Sequence, residues 1–310
     1  MSIVAMSETV GSGGTEIGRA LATALGWEFA DREIITKAAE SFGEGVMELK
    51  HATEEKPTLW ERFRQSQRRY MTYVEAIILD LAARGNVVLV GRASTVILAD
   101  VPHALRVRVI APERLRADRI ERQQGLTAAA ALDYVRDADR DLAARVRFLY
   151  HLDWEEPLLY DVILNTERLS VGQAVGMLRE RLMGDRLTPT DVARRALRDR
   201  SLLATARAVL LANPTTRARP IGVAVADGVA ELTGRVDTED ERQAAETAVK
   251  RIPGLVDVRN GIVVFMSRTE ALGHGQFRHG EERSWGGYGG GWYERDQAER
   301  EQRERDQKPT

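Results

Sequence analysis

Cysteine is absent from all 310 residues, which removes disulfides, thiolate nucleophiles and cysteine-bound zinc. A surplus of charge is missing as well. The 45 basic and 47 acidic residues leave a formal net charge of −2, so no global field draws the chain to nucleic acid or an anionic membrane, and any anion site has to be local. No apolar run approaches the ~20 residues of a membrane-spanning helix. The opening MSIVAMSETV has neither a basic leader nor a long hydrophobic stretch, so a soluble cytoplasmic protein is the expectation. Among His51, His103, His151, His274 and His279, no pair has ligand spacing beside carboxylates on one helix, which argues against a histidine-held metal.

What is present, at 43% hydrophobic, is enough apolar material for two domains. Short apolar runs (SIVAMS at 2–7, NVVLVG at 86–91, LRVRVIA at 105–111, YDVILNT at 160–166) alternate with segments of helical spacing, and WEFA adds a fifth β-like run. That alternation predicts an α/β fold with a parallel sheet covered by helices on both faces. Residues 183–191 read as a linker, because MGDRLTPTD breaks the helical pattern. Beyond it the order helix, strand, strand, helix, strand predicts a small α+β unit with a hairpin at Ala226-Asp227-Gly228. From 266 to 310 glycine, aromatics and mixed charge predict a disordered tail.

The stretch SETVGSGGTEIGRALATALG (7–26) puts a glycine loop between a strand and a helix, where backbone N–H groups and the positive helix end suit a phosphate. A phosphate loop ordinarily adds a lysine for the outer phosphates and a hydroxyl for magnesium. Here Gly14 stands in the lysine's place, Thr15 offers the hydroxyl, and Glu16 brings negative charge into the first turn. On spacing alone an anion site and a plain tight turn are equally served.

The joint order of GSGGTEIGRALA, FADREII, VVLVGRASTVIL, VIAPERLRADRI, GLTAAAALDYVRDADRD and DWEEPLLYDVILNTERLS resembles the cytidylate kinase-like proteins, a branch of the nucleoside-monophosphate kinases, over residues 1–183. The resemblance implies a P-loop kinase fold with a five-stranded parallel core, a monophosphate arm after the second strand, and an arginine-bearing lid between the fourth and fifth. It implies ATP with Mg²⁺ as cofactors and a nucleoside monophosphate, CMP or dCMP, as acceptor. Gly11, Ser12, Gly13, Gly14 and Thr15 would hold the triphosphate, with Thr15 on the metal. Asp31, Arg32, Gly91, Arg92 and Arg145 would meet the acceptor, while Arg92, Arg119, Arg122, Asp139 and Arg140 would serve catalysis. The chain departs from the family pattern twice: Leu142 stands where an arginine ordinarily follows the lid aspartate by three residues, and Ser7-Glu8-Thr9 replaces a Ser-Arg-Glu run. The loop lysine is generally absent in that branch too.

Residues 190–265 resemble the BON domain, through Gly228, Gly234, Ala244, Ala248, Gly254, Val258 and Asn260. None of these is a catalytic type. That resemblance implies binding of a phospholipid surface or a small ligand. The expected layout is therefore a kinase-like domain (1–183), a linker (184–189), a BON domain (190–265) and a tail (266–310). The rival expectation is a nucleotide-binding regulatory protein without catalysis, using the second domain as sensor or tether. Nucleic acid is not an expected partner, and the sequence is silent on oligomeric state.

Overall fold

A computed structural model describes residues 2–31, 33–43, 60–184 and 187–265. Arg32 and the expected tail lie outside the described residues.

The central strand is β1 (Ile3–Glu8), and its two faces explain the layering. Successive side chains of a strand point to opposite sides. Val4 and Met6 pack with Ile17 and Leu21 on one side of the sheet, whereas Ile3 and Ala5 pack with Tyr73 and Leu79 on the other. A strand buried on both faces reads as a continuous apolar run, which is why IVAM shows no alternation. The partners β2 (Glu28–Ala30), β3 (Val87–Val90), β4 (Ala104–Ile110) and β5 (Val162–Asn165) complete a sheet of order β2-β3-β1-β4-β5. Every pair in it is parallel.

Helix α1 (Gly14–Leu25) follows β1, and α2 (Glu33–Phe42) follows β2. The long α3 (Trp60–Arg84) precedes β3, and the single turn α4 (Ser94–Ile97) follows it. Between β4 and β5 lie α5 (Glu113–Gln124) and α6 (Ala128–Tyr150), and α7 (Val171–Leu182) closes this part behind a Ser170–Gln173 capping box. Two arginines of β4 show how charge is accommodated beside the sheet. Arg106 pairs with Asp161 at 2.9 Å, and buried Arg108 lies 4.2 Å from the Trp154 ring centroid. Arg108 also donates to the Trp154 carbonyl oxygen.

The second sheet joins β6 (Ile221–Ala226) to β7 (Val229–Val236) as an antiparallel hairpin. Its turn, Asp227-Gly228, has φ of 49° and 76°, the left-handed pair that a two-residue hairpin loop demands. Helix α9 (Glu239–Lys250), with a Thr238–Glu241 capping box, leads to β8 (Asp257–Asn260), which runs parallel to β7. The closing segment bends at Gly261, whose N–H donates to the Leu232 carbonyl at 2.8 Å, and resumes as β9 (Val263–Val264) on the same neighbour.

Helix α8 (Asp191–Ala212) serves both sheets. Leu197, Ala204 and Ala208 join the core around α3, while Leu202, Ala206 and Leu210 join the core of the second sheet. Arg200 strengthens the first contact by donating to the Ile97 carbonyl at 2.8 Å. Among the described residues no helix is long and apolar enough to cross a membrane.

Candidate functional site

In open parallel sheets, ligands bind outside the carboxyl ends of the strands where the order reverses. Here that point lies beside β1, whose chain leaves the sheet as the glycine loop and enters α1. A cleft of about 710 Å³ opens there, in the size range of small-molecule sites. Gly11, Ser12, Gly13, Thr15, Asp31 and Arg119 line it together, as do Glu8 and Glu16.

Arg119 holds the loop in shape. Its Nη1 donates to the carbonyls of Gly11 (3.1 Å) and Ser12 (3.0 Å) and to Thr166 Oγ1 (3.0 Å), and its Nη2 donates to the Thr166 carbonyl (3.1 Å). Thr166 Oγ1 in turn donates to the Ser12 carbonyl at 2.6 Å. In a trans peptide, oxygen and hydrogen lie on opposite sides, so carbonyls drawn toward Arg119 send the N–H groups of Ser12 and Gly13 the other way. Ser12 N–H is used on Thr9, at 3.0 Å from that carbonyl. Gly13 belongs to the helix start, where N–H groups have no earlier carbonyl within the helix.

Glu8 explains the missing lysine. Its carboxylate accepts from Thr15 N–H at 2.8 Å and from Thr15 Oγ1 at 2.5 Å, which places the side chain across the start of α1. A Cβ at position 14 would stand 2.7 Å from Glu8 Cβ and 2.7 Å from Oε2, so any side chain there collides with a rigid part of Glu8. Glycine at 14 and glutamate at 8 are one arrangement. Burial raises the Glu8 carboxyl above the ordinary carboxylate range, the two Thr15 hydrogen bonds oppose that shift, and Glu16 and Asp31 reinforce it. A carboxylate and a hydroxyl side by side are hard oxygen donors, a set that suits Mg²⁺. Among the described residues no three histidine, aspartate or glutamate groups could hold a metal ion by themselves.

The expected lid residues divide. Asp139 is paired in bidentate fashion with Arg116, at 3.0 and 2.7 Å, and Arg116 also donates to the carbonyls of Ala111 and Val10. This buried arginine therefore ties α5, α6 and the glycine loop together. Val10 supports the tie by packing against Ile120 and Val135. Arg122 is exposed and donates to the Asp118 carbonyl in its own helix. Arg140 is exposed and pairs with Asp137. Replacing Arg116 with methionine should lower stability by about 3 kcal/mol, because it strands Asp139 and two carbonyls. A melting temperature equal to that of the wild type would show that the tie contributes nothing.

A second group forms at the end of β3. Gly91, Arg92 and Ala93 have φ of 75°, 53° and 57°, three left-handed residues in succession, two of them not glycine. Such conformations cost about 1–2 kcal/mol each in L-residues and persist where the surroundings impose them. The turn brings Arg92 close to the buried phenol of Tyr70 on α3, and Arg145 of α6 adds a second positive charge to the same neighbourhood. Burial raises the Tyr70 phenol above its ordinary range, with both arginines pulling it back.

Sequence reasoning missed Glu8, Arg116, Tyr70 and Thr166 as site residues. Only Arg116 left a usable signal, since its spacing of three from Arg119 puts both on the helix face toward the loop.

Residues 3–168, more than half of the chain, match the model of the cytidylate kinase-like family, and residues 198–265 match that of the BON domain. The cytidylate kinase of Ignicoccus hospitalis is 27% identical over 185 residues, covering 59% of this chain and 100% of that protein. That of Pyrobaculum calidifontis is 28% identical over 177 residues, covering 56% of this chain and 89% of its own. The cytidylate kinase of Pyrococcus horikoshii is 27% identical over 171 residues, covering 54% and 81%.

Proposed function

We propose, because the chain belongs to the cytidylate kinase-like family, that it moves the γ-phosphoryl of ATP onto a nucleoside monophosphate, with CMP or dCMP as the acceptor. The observation that carries the reading is the pairing of two cationic places at one sheet edge: the Arg119-stitched loop after β1 and the strained Arg92 turn after the neighbouring β3.

Phosphoryl transfer asks little covalent chemistry of a protein. It asks for alignment and for positive charge around the transferring group. Gly11, Ser12, Gly13, Gly14 and Thr15 would hold the triphosphate through backbone amides and the start of α1. When bound with ATP, Mg²⁺ supplies charge neutralisation between the phosphates, and Thr15 would help hold it. Arg92 and Arg145, converging on Tyr70, would grip the acceptor phosphate, with Asp31 and Arg32 at the start of the monophosphate arm. Arg119 would stabilise the transferring group from the loop side, and Asp139 would fix the lid through Arg116. Arg122 and Arg140 are the remaining lid cations. The Arg140–Asp137 pair is exposed and worth little, so recruiting Arg140 inward would cost little.

A panel of nucleoside monophosphates assayed for ADP formation with ATP and Mg²⁺ tests the reading. Turnover is expected with a cytidine monophosphate, and none with any acceptor would retire it. Arg92→Ala should raise the acceptor KM by roughly ten- to a hundredfold, the loss of one charged hydrogen-bond partner, and leave ATP affinity within about twofold. Equal losses for both ligands would remove Arg92 from the acceptor site.

The second reading, a nucleotide-binding regulator without turnover, draws on one observation: a glutamate fills the space of the loop lysine. It predicts ATP binding with no acceptor-dependent ADP. For the second sheet we propose a phospholipid surface or a small ligand, on the BON match and on the exposed Val256, Val263 and Phe265.

A further inference from the structure

We infer that the Glu8 carboxylate, together with the Thr15 hydroxyl, is the protein's ligand set for the divalent cation that arrives with a nucleoside triphosphate, so that the cation takes over the work of the absent lysine. This rests on the nucleotide-kinase reading.

Three features of the cleft lead there. The first is charge. Glu8, Glu16 and Asp31 all line the pocket into which a polyphosphate would have to enter. The cations of the same pocket do not stand between these carboxylates and the cleft: Arg119 adds its charge from behind the loop, with its N–H groups on the carbonyls of Gly11, Ser12 and Thr166, and Arg19 lies 4.4 Å from the Phe29 ring centroid. A triphosphate meeting this wall without a cation between would be repelled.

The second is geometry. Glu8 Oε1 and Thr15 Oγ1 are 2.5 Å apart at the mouth of the helix, with Oε2 anchored on Thr15 N–H at 2.8 Å. Mg²⁺ is typically held by one or two carboxylates, with substrate phosphates and water completing its shell. Since no three acidic or histidine groups among the described residues could hold an ion unaided, the metal and the triphosphate should bind as one unit.

The third is Ser12. It is fully buried, it lines the same cleft, and among the described residues its hydroxyl has no hydrogen-bond partner. Buried polar groups are rarely left so. A ligand oxygen in the cleft would provide the partner.

The test is calorimetric titration of ATP into the full chain, once with excess Mg²⁺ and once with EDTA, for wild type and Glu8→Gln. Glutamine keeps an acceptor for Thr15 and removes the charge. Wild type should bind the magnesium complex at least about tenfold more tightly than metal-free ATP. In Glu8→Gln, metal-free ATP should bind more tightly than in wild type and the magnesium complex less tightly, so that the ratio collapses by about an order of magnitude. Thr15→Val, which removes the hydroxyl and leaves the amide contact, should lower the ratio in the same direction and decides the matter if Glu8→Gln fails to fold. Loss of the free Mn²⁺ electron-resonance signal on adding wild-type protein to Mn²⁺ and ATP, weakened in both variants, is the independent readout. An unchanged ratio in folded variants, with wild-type ATP binding intact, overturns this inference and leaves the kinase reading standing. Absence of triphosphate binding by wild type under either condition overturns both.

Discussion

Gly14→Lys, which writes the usual lysine back into the loop, should weaken ATP binding by ten- to a hundredfold. The Cβ of any residue at 14 would stand 2.7 Å from Glu8 Cβ, and that atom is fixed to the last residue of β1. Overpacking of this kind costs about 1–3 kcal/mol, and here the backbone that must move is the phosphate-facing turn. The collision involves Cβ itself, so the rescue is selective. Glu8→Ala combined with Gly14→Lys should stay impaired, whereas Glu8→Gly combined with Gly14→Lys should recover affinity. Calorimetry with melting curves separates binding from folding. Equal affinities for the two double variants would show that Glu8 does not dictate glycine at 14.

Arg119→Ala is expected to lower ATP affinity about a hundredfold and kcat by roughly 10²–10³, the scale seen when one preorganised donor is removed from a charge-stabilising site. The guanidinium spans two loop carbonyls and both oxygens of Thr166, so its loss releases the turn from the end of β5 as well as removing a cation. Lysine at 119 restores charge without the planar fork and should recover only part of either quantity. Measuring ATP affinity, kcat and melting temperature on Arg119→Ala and Arg119→Lys checks this. A variant that melts early yet binds ATP normally would reduce Arg119 to a brace.

The sheet was legible in the sequence because strands buried on both faces announce themselves as solid apolar runs, as IVAM and VVLV do. The Asp227-Gly228 hairpin was legible for a local reason, a turn chemistry that few other residues tolerate. The site was legible only in outline. Glycines 11, 13 and 14 marked the loop, and GR at 91–92 marked the neighbouring turn, since both follow strand ends directly. Glu8 gave no such signal, because a polar residue closing an apolar strand is ordinary and its meaning lies in what it prevents at position 14. Tyr70 and Thr166 were hidden for a different reason. Each meets its partner across a long span of chain, and no spacing rule connects Tyr70 with Arg92 or Thr166 with Ser12.

Helix α8 has a consequence for stability. It lends one flank to the small sheet and the other to the rod of α3, and Tyr70 belongs to the same apolar cluster as Leu197, Ala204 and Ala208. A cavity cut into either flank of α8 should therefore be felt in both cores, so that a substitution in the small sheet's half of the helix lowers the stability of the other half as well.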